Sequence, residues 1–316
     1  MLLQASIIGI LLPILVPIVQ DDNQIVGFSQ QGAFSYLLRG NGGVTRVDLA
    51  NGDSSNFIEW LGDFSNATRI ASLWVSDDYV VGQSDENLYV WDIHKKELSH
   101  PNYFGDFVGF CNHGLLFNIA GIASMCEDFS GEHCDKLNIS TTNVYSRWDA
   151  SGDVLAVSTY DYGTTAALLS ATHSYPSYYS DTKLLAVAND VIALRRKLPN
   201  ETVFYYVSVN QAKRDHRVGP IAFLRLDQRI TADHLILSPD AKYYAMLYWD
   251  LLAVGTLTAS DEMAQSVVID GLSHMSTLVG LLKHGDWLHL AYVDYEDNIK
   301  FMRIRLKDKP VDGDVK

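Results

Sequence analysis

Apolar and polar positions alternate with a period of two along much of this chain. A strand-like run from Tyr79 to Gln83 meets a polar turn, Ser84 to Asn87, and a second alternating run from Leu88 to Ile93 ends "VWDI". Because successive strand side chains point to opposite faces, this pattern predicts a β-hairpin. The same pattern recurs. A small polar turn followed at once by a strand-like run occurs at Gly32 in "QQGAFSYLL", Asp78 in "SDDYVVGQ", Gly114 in "CNHGLLFNI" and Asp153 in "ASGDVLAVST". It occurs again at Asp190 in "ANDVIALRR", Lys242 in "SPDAKYYAMLY" and Asp286 in "KHGDWLHLAY". From Gly32 to Asp286 the mean spacing is about 42 residues, the length of one four-stranded propeller blade.

Second hairpins follow several of these turns at a common offset. "LLRGNGGVTRVDLANGD", "VGQSDENLYVWDIHKKE" and "AYVDYEDNIKFMRIRLKDK" each read strand, polar turn, strand, which makes Asp48 and Asp92 equivalent positions. The expected fold is therefore all-β: one β-propeller spanning residues 23–308, with seven four-stranded blades, or six or eight if a turn is misassigned. A pair of β-sandwiches and a β-helix are the competing architectures, and regular spacing favours the ring. Long amphipathic helical patterns are missing, which argues against α/β folds. "SPDAKYYAML" resembles the Ser-Pro-Asp-Gly turn of WD40-type and PQQ-type propellers, and "GQSDENLYVWDI" their Gly-Ser-x-Asp-Gly-x-Ile-x-Val-Trp-Asp hairpin. Ala241 and Asn87 stand where those families place glycine, and their Gly-His pair is absent. The resemblance implies a fold rather than an activity.

Composition narrows the partners. The 316 residues carry 24 Lys and Arg against 38 Asp and Glu, a net charge of -14, so a phosphate backbone is a poor partner. The apolar stretch Leu2 to Val19, followed by Asp21 and Asp22, suits a signal peptide over residues 1–20. Pro13 and Pro17 would interrupt a membrane-spanning helix. An uncleaved N-terminal membrane anchor and a buried strand or helix of the fold are the alternatives. Sequons at Asn66, Asn138 and Asn200 fit the same route, which predicts a secreted or cell-surface glycoprotein, or alternatively an ER-lumenal or membrane-anchored one. In "CEDFSGEHC" a disulfide between Cys126 and Cys134 would close a polar loop and leave Cys111 free in a strand. Residues 309–316 read as a polar tail.

No motif announces catalysis. There is no Gly-x-Ser-x-Gly elbow, no His-Glu-x-x-His, no phosphate-cradling loop and no EF-hand spacing, so neither catalytic residue, metal site nor cofactor is expected. "DYEDN", Asp294 to Asn298, fits a solvated hairpin turn better than a calcium site, which wants six or more ligands. His113, His133, His173, His274 and His289 are scattered and read as structural or surface residues. "SATHSYPSYYSDT" places Tyr175, Tyr178 and Tyr179 among serines around Pro176. Rigid amphipathic rings in a polar loop suit a binding surface, and they equally suit the outer strand of a blade. The expected function is a protein-binding or assembly module with a protein or possible glycan ligand. The alternative is an extracellular propeller enzyme, a hydrolase or lyase acting on glycans, with carboxylates gathered at the channel.

Overall fold

The computed structural model describes residues 24–64, 72–85, 87–102, 104–140, 146–159, 163–169, 177–209, 221–227, 234–248, 251–257, 266–269 and 275–305. The apolar N-terminal stretch, Asn66, Tyr175 and the polar tail lie outside them.

The strands group by blade. Blade one holds β1 (Ile25–Gln31), β2 (Phe34–Arg39), β3 (Val44–Asp48) and β4 (Ser54–Ile58); blade two holds β5 (Ser72–Val75), β6 (Tyr79–Ser84), β7 (Asn87–Asp92) and β8 (Glu97–Ser99). Blade three holds β9 (Asp106–Cys111), β10 (Gly114–Ile119), β11 (Ile122–Cys126) and β12 (Cys134–Ser140). Blade four holds β13 (Ser146–Ser151), β14 (Val154–Thr159), β15 (Gly163–Leu168) and β16 (Ser177–Tyr179). Blade five holds β17 (Thr182–Ala188), β18 (Val191–Lys197), β19 (Glu201–Ser208) and β20 (Ile221–Asp227). Blade six holds β21 (His234–Leu237), β22 (Tyr243–Tyr248), β23 (Leu251–Thr256) and β24 (Ser266–Ile269); blade seven holds β25 (Met275–His284), β26 (Trp287–Asp294) and β27 (Ile299–Arg305).

Every sheet is antiparallel with its strands in chain order, and blade seven has three strands among the described residues where the others have four. The first strands of neighbouring blades touch one another all the way round, β25 against β1 included, so they surround a central axis. Six of the seven turn positions read from the sequence fall in the connection from first to second strand, and the seventh, Gly114, opens the second strand β10. The fold is a seven-bladed β-propeller.

Local chemistry explains the turns. Gly32, Gly152, Asn189, Ala241 and Gly285 hold the same left-handed conformation at φ 51–58° in five of these connections. Ala241 accepts it without glycine's freedom, at a cost of about 1–2 kcal/mol, within a turn where Tyr243 N–H donates to Ser238 Oγ at 3.0 Å and Ala241 N–H to the Ser238 carbonyl at 2.8 Å. Asp48 and Asp92 are equivalent as expected. Each ends a third strand and accepts from turn amides, Ala50 N–H at 2.8 Å in one case and His94 N–H at 3.0 Å in the other.

The core is divided among the gaps between blades. Seven apolar clusters each join two neighbouring blades; Leu61, Phe64 and Leu73 lie between blades one and two, and Leu37, Leu49, Val279 and Ala291 between seven and one. That last seam is also pinned by buried and half-buried polar contacts. Ser35 Oγ–H donates to the Val279 carbonyl at 2.8 Å, and Gln30 both donates to the Leu281 carbonyl at 2.9 Å and accepts from Leu281 N–H at 3.0 Å. His289 Nδ1 meets the Leu49 carbonyl at 2.8 Å.

Candidate functional site

Antiparallel order gives the ring two unlike faces. Connections from first to second and third to fourth strands lie on one face, here the near face; the remaining connections lie on the far face. Carboxylates crowd the near-face turns but are engaged locally. Asp78 meets His94 Nε2 at 2.9 Å, Asp153 accepts from Asn112 Nδ2 at 2.8 Å, and Asp190 accepts from Ser208 Oγ at 2.7 Å. The far face carries a different set of groups.

Its central opening collects side chains from separate blades. Arg147 and Asp149 on β13 pair at 3.8 Å. His234, the first residue of β21, sets Nε2 at 2.9 Å from the Leu278 carbonyl, and its ring lies 5.8 Å from that of Phe28 on β1. Burial pulls the His234 pKa below its usual value, against the Leu278 hydrogen bond and with a smaller push from the Arg147 charge on blade four. The Asp149 carboxyl is pushed up by desolvation against the opposing pull of Arg147, although its side chain keeps 29% of its accessible surface. The opening therefore offers one guanidinium, one neutral imidazole and one carboxyl that holds its proton more tightly than usual.

Away from the opening, exposed aromatic side chains lie on the same face. Trp60 follows β4, Tyr295 caps the β26–β27 hairpin and Tyr178 sits near the far end of β16; they are 50%, 67% and 59% exposed. Tyr178 and Tyr179 both belong to the outer strand of blade four, paired with Thr165 and Thr164. Strand alternation then separates them: Tyr179 packs against the cluster between blades four and five, while Tyr178 faces solvent. Trp60 and Tyr295 were not anticipated from sequence, because single aromatics in short polar turns carry no pattern.

The other sequence expectations take definite places. Cys126 and Cys134 are disulfide-bonded across the β11–β12 ladder, and Cys111 is a half-buried free thiol whose pKa burial pushes up. Asn200 lies exposed in the β18–β19 turn, and Asn138 lies on β12. Asp294 to Asn298 form a hairpin turn in which Asp294 Oδ1 accepts from the Glu296 and Asn298 amides, both at 2.9 Å. Among the described residues no three His, Cys, Asp or Glu side chains are grouped to hold a metal ion.

No family model matches the chain, and no curated protein matches it in sequence. Solved structures do. Kluyveromyces lactis Hsv2 with its complete loop 6CD superposes with a TM-score of 0.57 at 11% identity, covering 91% of this chain and 100% of that one. KlAtg21, in its complex with the coiled-coil of AgAtg16, gives 0.62 at 10% identity, covering 90% and 94%. The β-propeller domain of Myceliophteria thermophila Cps50 (Swd1) gives 0.54 at 12% identity, covering 90% and 99%. At such identities the likeness is one of fold, and at that level the resemblance to WD40-type propellers holds.

Proposed function

We propose that this protein is a secreted or cell-surface glycoprotein whose propeller captures a protein partner on its far face. Tyr178 is the observation that carries the reading: a rigid ring, 59% exposed, held on a strand rather than on a mobile loop. Aromatic anchors so placed supply contact area at little entropic cost, and truncating one commonly weakens an interface by about 2 kcal/mol or more. Among proteins of the same fold, KlAtg21 is seen with a coiled-coil partner, which is in keeping with capture on a propeller surface. The apolar N-terminal stretch, the Cys126–Cys134 bond and the exposed Asn200 sequon support export.

Affinity capture from the native source tests the assignment. Wild type should retain a partner that Tyr178→Ala loses, with both proteins equally folded. Retention by Tyr178→Ala and by Trp60→Ala alike would remove the far face from consideration. Intact mass of native material tests export: a full-length chain without glycan refutes it. The second reading, a glycan-active enzyme, rests on Asp149, whose tightly held proton is the property of a general acid. Glycan turnover abolished by Asp149→Asn would install that reading in place of partner capture.

A further inference from the structure

Blade seven ends at β27 (Ile299–Arg305), which among the described residues pairs with β26 on one side only. The hairpin register settles what the other side offers. Asp294 N–H bonds the Asn298 carbonyl at 3.1 Å, so Lys300, Met302 and Ile304 bond inward to β26. Ile299, Phe301, Arg303 and Arg305 then turn their backbone N–H and C=O groups outward. A row that no described strand pairs is a template for another strand.

Side chains along this edge select which strand. Lys300, Phe301, Arg303 and Arg305 are exposed, and the Arg305 guanidinium lies 5.9 Å from the ring centre of Trp287, itself 42% exposed. Neither Arg303 nor Arg305 makes an ion pair among the described residues. On a chain of net charge -14 this is a locally cationic edge flanked by aromatic surface. A second copy pairing edge to edge would set like charges opposite one another, which disfavours self-association.

We propose that the β27 edge accepts an extended, acidic segment of a protein partner as the fourth strand of blade seven. In antiparallel register, acidic residues of the incoming strand fall opposite Arg305 and Arg303, and an apolar one between them falls opposite Ile304. Backbone pairing supplies affinity for any extended chain, and the two arginines supply the preference for acid alternating with apolar residues. This surface lies apart from Tyr178, so it stands or falls independently of capture on the far face.

The probe is a fluorescein-labelled ten-residue peptide of alternating aspartate and valine, followed by anisotropy against the full chain. Saturable binding is expected, weakened by salt. The R303E/R305E variant should weaken it at least tenfold, and Tyr178→Ala should leave it unchanged. The same peptide N-methylated at alternate amides should not bind, a control that leaves the protein untouched. Equal binding to R303E/R305E would overturn the proposal. Binding that appears only after removal of residues 306–316 would also overturn it, by assigning the edge to the chain's own tail. A dimer abolished by Arg303→Pro would assign it to a second copy.

Discussion

Asp149 holds its proton more tightly in the folded protein than in an unfolded chain, because its carboxyl loses water inside the channel. A raised folded pKa contributes stability below the ordinary value of 3.8 that is lost as pH rises through the folded value. At neutral pH the ionised carboxylate is therefore a liability. Asp149→Asn is expected to raise the melting temperature at pH 7, with the gain shrinking to nothing as pH approaches 3.8. Thermal scans of both proteins from pH 3.5 to 8 read this directly. A variant less stable at pH 7 would mean that the Arg147 pairing outweighs desolvation. None of this group was legible in the sequence. Arg147, Asp149, His234 and Phe28 come from blades four, six and one, and only ring closure brings them together.

At the scale of strands and turns, sequence reading went further, because each unit states its own hairpin locally. The first-to-second-strand turns could be located since a polar turn and an alternating run recur at a mean spacing of about 42 residues, and a backbone conformation recurs at five of them. Tyr178 and Tyr179 show where such reading stops. Composition made them equivalent, while the β15–β16 register turns one inward and the other outward. Within blade three, the Cys126–Cys134 bond staples the β11–β12 hairpin across a sequence separation of 8. Closing so short a loop stabilises by roughly 2–3 kcal/mol, provided native geometry is unstrained. The C126S/C134S variant should lose about that much in urea denaturation, and peptide mapping of wild type should recover Cys111 as the free thiol. A bridge involving Cys111 would contradict the arrangement.

The whole molecule depends on a seam that no single unit specifies. Blades seven and one meet through Leu37, Leu49, Val279 and Ala291 and through the Ser35, Gln30 and His289 contacts. Gly280 lies against this seam with no room for a methyl group, since an added Cβ would strike Ser35 Oγ and the Leu49 side chain. Gly280→Ala should cost about 1–3 kcal/mol, measured as a lower urea midpoint with an unchanged slope. No loss of stability would show that the seam relaxes freely. Closure was the least legible feature of the fold. It joins the two ends of the described chain, and a repeat pattern says nothing about how its last unit meets its first.

That seam also decides how the protein answers a pull. The first described strand enters beside the last hairpin, where Ile25 N–H donates to Asp297 Oδ1 at 3.4 Å. The first described strand and the last described hairpin thus border the same gap between blades. Tension between them bears first on a clasp of hydrogen bonds and apolar packing, since among the described residues no covalent bond crosses it. Six other gaps are bridged by continuous polypeptide, so a stretched ring should part at this one and leave the remaining blades stacked as an open arc.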